Sequence, residues 1–385
     1  MSDATLRSDT LAPVPLVDLK AAHAEVADAV EAGWKRVIEN TAFVLGPDVA
    51  AFEAEFAAYC GVRRCVGVAN GTDALELALR ALDIGPGDEV VLPANTFIAT
   101  ALAVLRAGAK PVLADCDDEH LLLDPDSVAT RITARTRALM PVHLYGQVAP
   151  MEALGAVLDG VGRPIEIVED AAQAQGARRN GRAAGSLGRV AGTSFYPGKN
   201  LGAYGDGGAV MTDDAVLADK LVALRNYGSP RKYQHPEPGF NCRLDTLQAV
   251  VLRAKLPLLD AWNAQRRAAA ERYDAWLAAL EDLRPVRTLP GNEHIFHVYA
   301  VRVHGGAERR DRVLAKLHEA RIGAGVHYPE PLHLTGALRS LGHRRGDFPV
   351  AEAACGELLS LPLYPQITVE QQERVVDALT RVLAS

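Results

Sequence analysis

Between about residues 60 and 215 short apolar runs alternate with amphipathic stretches. The runs RCVGV (64–68), DEVVLP (88–93), KPVLAD (110–115), RALMPVH (137–143), IEIVED (165–170) and TSFYP (193–197) each read as a buried strand. Between them, TDALELALRAL (72–82) and IATALAVLRAGA (98–109) place apolar residues at helical spacing. This alternation predicts an α/β unit, a mostly parallel sheet with helices on both faces, in which function collects at the carboxyl ends of the strands. After about residue 250 the texture changes. Residues 244–280 read as helix, with Pro257 expected to bend or divide it. The stretch 294–303 alternates as a strand, and 309–321 and 370–384 read as helices. We therefore expect a large domain over 1–250, with an N-terminal arm over 1–20, and a smaller α+β domain over 251–385.

Composition narrows the function classes. At 49% hydrophobic and 23% charged the 385 residues suit a globular chain large enough for more than one domain. The net charge of −7 and the lack of any basic run argue against nucleic-acid binding. Five scattered cysteines, none in a C-x-x-C pair, suggest neither a metal site nor a disulfide framework, so a reducing cytoplasm is expected. The first residues lack an apolar core flanked by basic residues, and no apolar stretch is long enough to span a membrane.

Three features carry candidate chemistry. In VANGTDALELAL (68–79) a strand turns into a helix at Gly71 and Thr72, where free N–H groups and a hydroxyl could cradle a phosphate; equally, Thr72 could cap the helix and Gly71 serve the turn. IEIVED ends a strand in Glu169 and Asp170, one of which faces the sheet end and would need a cationic partner, unless it caps a following helix. Lys199 stands in a Pro-Gly bend after another strand, with Ser194 in that strand and Asn200 beside it. An isolated lysine there would be a solvated loop residue. A desolvated one can lose its proton and become a nucleophile. Together the three suit pyridoxal phosphate, which needs a lysine, an acid at its ring nitrogen and donors for its phosphate.

The segments NGTDAL, PANTFIAT, PVHLYGQ, VEDAAQAQGA, SFYPGKNLGAYGDGGA, GFNCRLDTLQAVVLRAKL and HYPEPLHL resemble, in order and spacing, the DegT/StrS-type nucleotide-sugar aminotransferases, from about residue 14 to the C-terminus. The resemblance implies the aspartate aminotransferase type (fold type I) of pyridoxal phosphate fold, with a mixed, mostly parallel seven-stranded sheet, and a homodimer with shared active sites. It implies that Lys199 is the Schiff-base lysine and proton shuttle and that Asp170 faces the pyridinium nitrogen. Gln173 then lies near the phenolic oxygen and Phe97 stacks on the ring. Gly71, Thr72 and Ser194 bind the phosphate, joined by Asn241 of the partner subunit. His327 and Tyr328 match the sugar and nucleotide side, or else pack at a strand end. Tyr227, in RNYGS, matches a loop reaching toward the neighbouring site. His294 and His297 are assigned to the packing or surface of the smaller domain. Asp206 departs from the glutamate common in the family.

The wording most resembles members that aminate dTDP-linked 3-keto-6-deoxyhexoses, with L-glutamate as donor, in deoxyaminosugar biosynthesis for an antibiotic or a surface glycan. A 4-keto sugar or a keto-inositol would be the neighbouring substrate. A dehydrating branch replaces the lysine by histidine, and a non-catalytic regulator would be expected to have lost Lys199 or Asp170; this chain keeps both.

Overall fold

The computed structural model describes residues 12–231 and 233–384. The first eleven residues of the expected arm lie outside them. Among the described residues thirteen strands follow in chain order: β1 Arg64–Val68, β2 Glu89–Pro93, β3 Lys110–Ala114, β4 Thr136–Leu139, β5 Glu166–Asp170, β6 Arg178–Arg179, β7 Arg182–Ala183, β8 Val190–Ser194, β9 Gly208–Thr212, β10 Leu283–Pro285, β11 Asn292–Glu293, β12 Tyr299–Val303 and β13 Leu358–Leu361. Seven form the main sheet in the order β1-β9-β8-β5-β4-β2-β3. Only β9 runs against the others, pairing antiparallel with β1 and β8. All five residues of β2 are buried, as expected for a strand covered by helices on both faces. The main sheet is therefore mixed, mostly parallel and seven-stranded, as expected.

Helix starts are written locally. Asn70 caps Gly71–Ala81 by accepting from the Asp73 N–H at 2.9 Å, so the cap is Asn70 and Thr72 lies inside the first turn. Asp124 and Asp214 do the same for Pro125–Arg131 and Ala215–Leu224, and Thr368 with Gln371 makes a full capping box on Val369–Leu383. Pro257 divides the long helical stretch as expected, into Thr246–Lys255 and Leu259–Leu277 joined by a short 3₁₀ turn.

Three strands are shorter or shifted relative to the sequence reading. The fourth stops at Leu139 rather than 143, because Pro141 has no N–H to continue a ladder; residues 141–143 still bond to Asp170 through Pro141 O and the His143 N–H. The strand read at 193–197 lies at Val190–Ser194, and Phe195–Pro197 instead open the lysine loop. The strand read over 294–303 begins only at Tyr299. Residues before it bond to the Tyr145–Gly146 turn that follows β4, through Ile295 N–H to Gly146 O and Val298 N–H to Tyr145 O.

A second core gathers the helix Leu259–Leu277, the sheet β10-β12-β13 and the last helix, around Tyr273, Tyr299, Leu359 and Val375. The N-terminal segment is stitched into it. Val14, fully buried, lies parallel to Ile322, with its N–H on Arg321 O and its C=O accepting from Gly323. Two residues on, Leu16 O accepts from the Leu363 N–H.

A candidate active site at the strand ends

The lysine loop is anchored by Phe195. Its buried ring makes edge contacts with Phe52 and Phe56, each at 5.3 Å between centroids. Burying such a side chain contributes roughly 1.5–3 kcal/mol, and each aromatic contact about 0.5–1.5 kcal/mol more. The loop closes on itself: Ala203 N–H bonds to Phe195 O and Lys199 N–H to Tyr196 O, both at 2.8 Å. Gly202 lies so close against the Pro197 carbonyl that no Cβ could be placed there. The buried Lys255 ammonium holds the same turn from beneath, donating to Gly202 O at 2.6 Å.

Lys199 emerges from this loop into a cavity of about 750 Å³. Gly71, Thr72, Phe97, Asp170, Gln173, Ser194, His327 and Tyr328 all line it. Nine of the eleven candidate residues thus share one cavity. The other two do not reach it. Asn241 lines a second cavity, of about 500 Å³, with Arg243 and Gln248, and Tyr227 is an exposed loop residue beneath the Arg243 guanidinium.

Period-two alternation sends Glu169 and Asp170 to opposite faces of β5. Glu169, fully buried, accepts from the N–H groups of Gly185, Leu187 and Gly188 and from His143 Nε2, at 2.6–2.8 Å. His143 Nδ1 accepts from the Ala149 N–H, so its proton sits on Nε2 and its tautomer is fixed. Burial works against ionised Glu169, but these donors overcome it and hold the carboxyl below its ordinary range. Asp170 faces the cavity, accepting from Thr100 Oγ1 at 2.8 Å and from the Ala172 N–H at 3.1 Å. Turns follow it, so Asp170 caps no helix. Here burial wins: it pushes the carboxyl up despite Thr100, Ala172 and the Lys199 charge. A cation or N–H donor in the cavity would relieve it. Burial also lowers Lys199 to about 8, against the pull of Asp170, which brings its unprotonated amine within reach at neutral pH.

The residues fit a phosphate-bearing aldehyde cofactor. Asn70 takes the Asp73 and Ala74 N–H groups, leaving those of Gly71 and Thr72 at the cavity, beside Ser194. A Cβ on Gly71 would stand 2.6 Å from Ser194 Cβ, so the cradle admits only glycine at that contact. Phe97, 51% exposed, presents its ring at the cavity 5.4 Å from that of Tyr328. Gln173 joins two walls, accepting from the Tyr145 N–H at 2.7 Å and donating to Tyr328 Oη at 3.0 Å. Among the described residues no group of three or more His, Cys, Asp or Glu side chains could hold a metal ion, and no helix is long and apolar enough to cross a membrane.

Sequence reasoning missed several lining residues. His297, assigned to the smaller domain's packing or surface, lines the cavity instead; His294 is packed, stacked on Phe296 at 3.9 Å. Thr100, one turn beyond Phe97 on the helix Ile98–Ala107, could have been found from that spacing. Leu16 and Val17 close the cavity from the N-terminal segment, and nothing in their neighbours signals it.

Residues 25–380 match the DegT/DnrJ/EryC1/StrS aminotransferase family. Over 366 residues the chain is 48% identical to the dTDP-3-amino-3,4,6-trideoxy-α-D-glucose transaminase of Streptomyces venezuelae, covering 95% of each protein. Among solved structures, S. venezuelae DesV in complex with a ketimine intermediate superposes with a TM-score of 0.93 at 47% identity, over 97% of this chain and 100% of that one. NtdA of Bacillus subtilis with bound cofactor PMP gives 0.89 at 30%, over 97% and 86%.

Proposed function

Since this chain belongs to the DegT/DnrJ/EryC1/StrS aminotransferase family, we propose that it moves an amino group from L-glutamate to the keto carbon of a dTDP-linked 3-keto-6-deoxyhexose, with pyridoxal phosphate as cofactor. The observation that carries this reading is the meeting of Lys199 and Asp170 with the Gly71–Thr72 helix start in one cavity. When bound, the cofactor supplies a carbonyl carbon that takes up amines and a ring that stores the electron pair released when the neighbouring carbon loses its proton. Asp170 would hold the proton on the ring nitrogen, its buried charge matched there by a cation. The N–H groups of Gly71 and Thr72 and the hydroxyls of Thr72 and Ser194 would bind the phosphate. Phe97 would flank the ring, and Gln173 would stand by its oxygen. Lys199 Nζ would take the proton from one carbon and return it to another. An amine with a pKa of about 8 both accepts and releases a proton near neutrality.

The enzyme acts as a homodimer on this reading. Asn241 lines the neighbouring cavity rather than the one that holds Lys199, and apolar Phe43, Val44, Leu45 and Tyr196 stand exposed near the two cavities, as an uncovered subunit interface would. Asn241, Arg243 and Tyr227 then meet the partner's site, and His327 and Tyr328 line the sugar side. The setting is cytoplasmic deoxyaminosugar biosynthesis, supplying an antibiotic or a surface glycan.

The deciding experiment converts the enzyme to its pyridoxamine form with glutamate, removes the excess, and adds 3-keto or 4-keto dTDP-6-deoxyhexose separately. Return of the original absorbance with the 3-keto sugar alone supports the reading. Return only with the 4-keto sugar moves the site of amination. If glutamate never bleaches that absorbance, the donor is wrong.

A further inference from the structure

His297 is not used by the chemistry above, although it lines the same cavity as Lys199. Its orientation follows from a chain of amides. Asn263 Nδ2 donates to Gln175 O at 3.0 Å, which leaves Asn263 Oδ1 to accept from Asn200 Nδ2 at 2.8 Å. Asn200 Nδ2 also donates to Ile295 O at 3.2 Å. Asn200 Oδ1 is therefore the atom that meets His297 Nδ1, at 3.1 Å. A carbonyl oxygen only accepts, so the imidazole proton sits on Nδ1. Nε2 keeps a lone pair and has no partner among the described residues. Burial, with Lys199, Arg266, His327 and His294 nearby, drives the imidazole well below its ordinary range, so the ring stays neutral at working pH.

Resting on the aminotransferase reading, we propose that His297 is a substrate-positioning residue: its Nε2 accepts a hydrogen bond from a hydroxyl of the keto sugar. The chemistry of the two substrates favours the sugar. Glutamate's carboxylates cannot donate, and its only N–H groups sit on the nitrogen that is transferred. The sugar carries hydroxyls that persist throughout turnover. The segment that carries His297 is hydrogen-bonded on both sides of it to the Tyr145–Gly146 turn, and a Cβ on Gly146 would stand 2.8 Å from His297 N, so the backbone there has little room to move.

The test uses His297→Phe, which keeps a ring and removes both nitrogens, and His297→Gln, which returns an amide oxygen near the place of Nε2. Each half-reaction is measured alone, and the Kd of dTDP-glucose, which has no ketone to react, is measured by calorimetry. His297→Phe should leave the glutamate half-reaction within about twofold while raising the keto-sugar KM and the dTDP-glucose Kd about tenfold to a hundredfold, the range for a lost buried hydrogen bond. His297→Gln should recover most of that loss. Should the phenylalanine variant not fold, His297→Leu carries the same comparison. Unchanged sugar KM and Kd overturn the proposal. So does equal slowing of both half-reactions together with a shifted pH midpoint of the lysine-bound cofactor's absorbance, because Nε2 would then serve Lys199. A wild-type enzyme that aminates no sugar overturns the function reading itself, and this inference with it.

Discussion

Glu169 and Asp170 are adjacent buried carboxylates, and the structure gives them opposite duties that substitution should separate. In Glu169→Gln one oxygen becomes an NH₂ group. Oε2 accepts from His143 and Gly185, and Oε1 from Leu187 and Gly188, so either orientation turns a donor toward two donors. His143 cannot adapt, because Ala149 fixes its tautomer. Two hydrogen bonds to a charged acceptor are lost, at about 1.5–3 kcal/mol each, so the fold loses about 3–6 kcal/mol. With roughly 2.1 cal/mol/K of unfolding entropy per residue, a chain of this length should lose about 4–7 °C in Tm. Asp170→Asn is accommodated: its NH₂ can donate to Thr100 Oγ1, whose own proton can turn to Thr96, 3.0 Å away. Tm should hold or rise, since burial already opposes the charge, while turnover falls about a hundredfold or more. The pH dependence follows the same sign. Glu169 has a folded-state pKa below its ordinary 4.5, so its stabilisation is complete above that value and is lost as pH falls through the folded pKa. Glu169→Gln should flatten that acid limb. Scanning calorimetry of the cofactor-free proteins and single-turnover absorbance of the cofactor-loaded ones read both effects. If Asp170→Asn costs the stability and Glu169→Gln the turnover, the assignment of faces is refuted.

Other outcomes are equally specific. The rate at which cofactor-free enzyme takes up pyridoxal phosphate should rise with pH and level off with a midpoint near 8, the Lys199 value; stopped-flow absorbance showing a midpoint near 10.5 would contradict a desolvated amine. Gly71→Ala places its Cβ 3.2 Å from Ser194 Cα as well as against its side chain, so cofactor Kd should weaken about tenfold to a hundredfold in an absorbance titration. Lys199→Ala alone should lose the lysine-bound absorbance and all turnover while staying folded. Mixed under exchange with Asn241→Ala, it should regain up to about a quarter of wild-type activity, because half the dimers would be hybrids with one intact site; no regain would place Asn241 outside the partner's site.

Six of the seven strands of the main sheet were legible, all but β9, because they are continuous apolar runs between helical patterns, a signal that survives without knowing any contact. It also marked one of the two acids at 169–170 as facing the sheet end. Which one could not be read, because the face is set by strands β4 and β8 on either side. Phe195 misled for a related reason: an aromatic residue next to a strand reads as more strand, whereas its ring is the peg of the lysine loop. Strand β13 lay in a short apolar run that could equally end a helix. His297 was assigned to the wrong surroundings because its segment breaks from β12 to bond with a turn 150 residues earlier, a pairing with no local trace. Motif order supplied what periodicity could not, tying Lys199, Asp170 and Gly71 to one cavity.

The burial of Val14 against Ile322 has a consequence for how the protein is made. The ribosome releases Val14 and Leu16 more than 300 residues before their partners Ile322 and Leu363. Throughout synthesis these apolar residues must wait uncovered. The second core, and the cavity wall that Leu16 supplies, can close only after Leu363 has emerged. Such non-local closure is slow and leaves sticky surface on the nascent chain. Shortening the N-terminus through Leu16 should therefore show first as a falling yield of soluble enzyme, rescued by chaperone co-expression or slower translation.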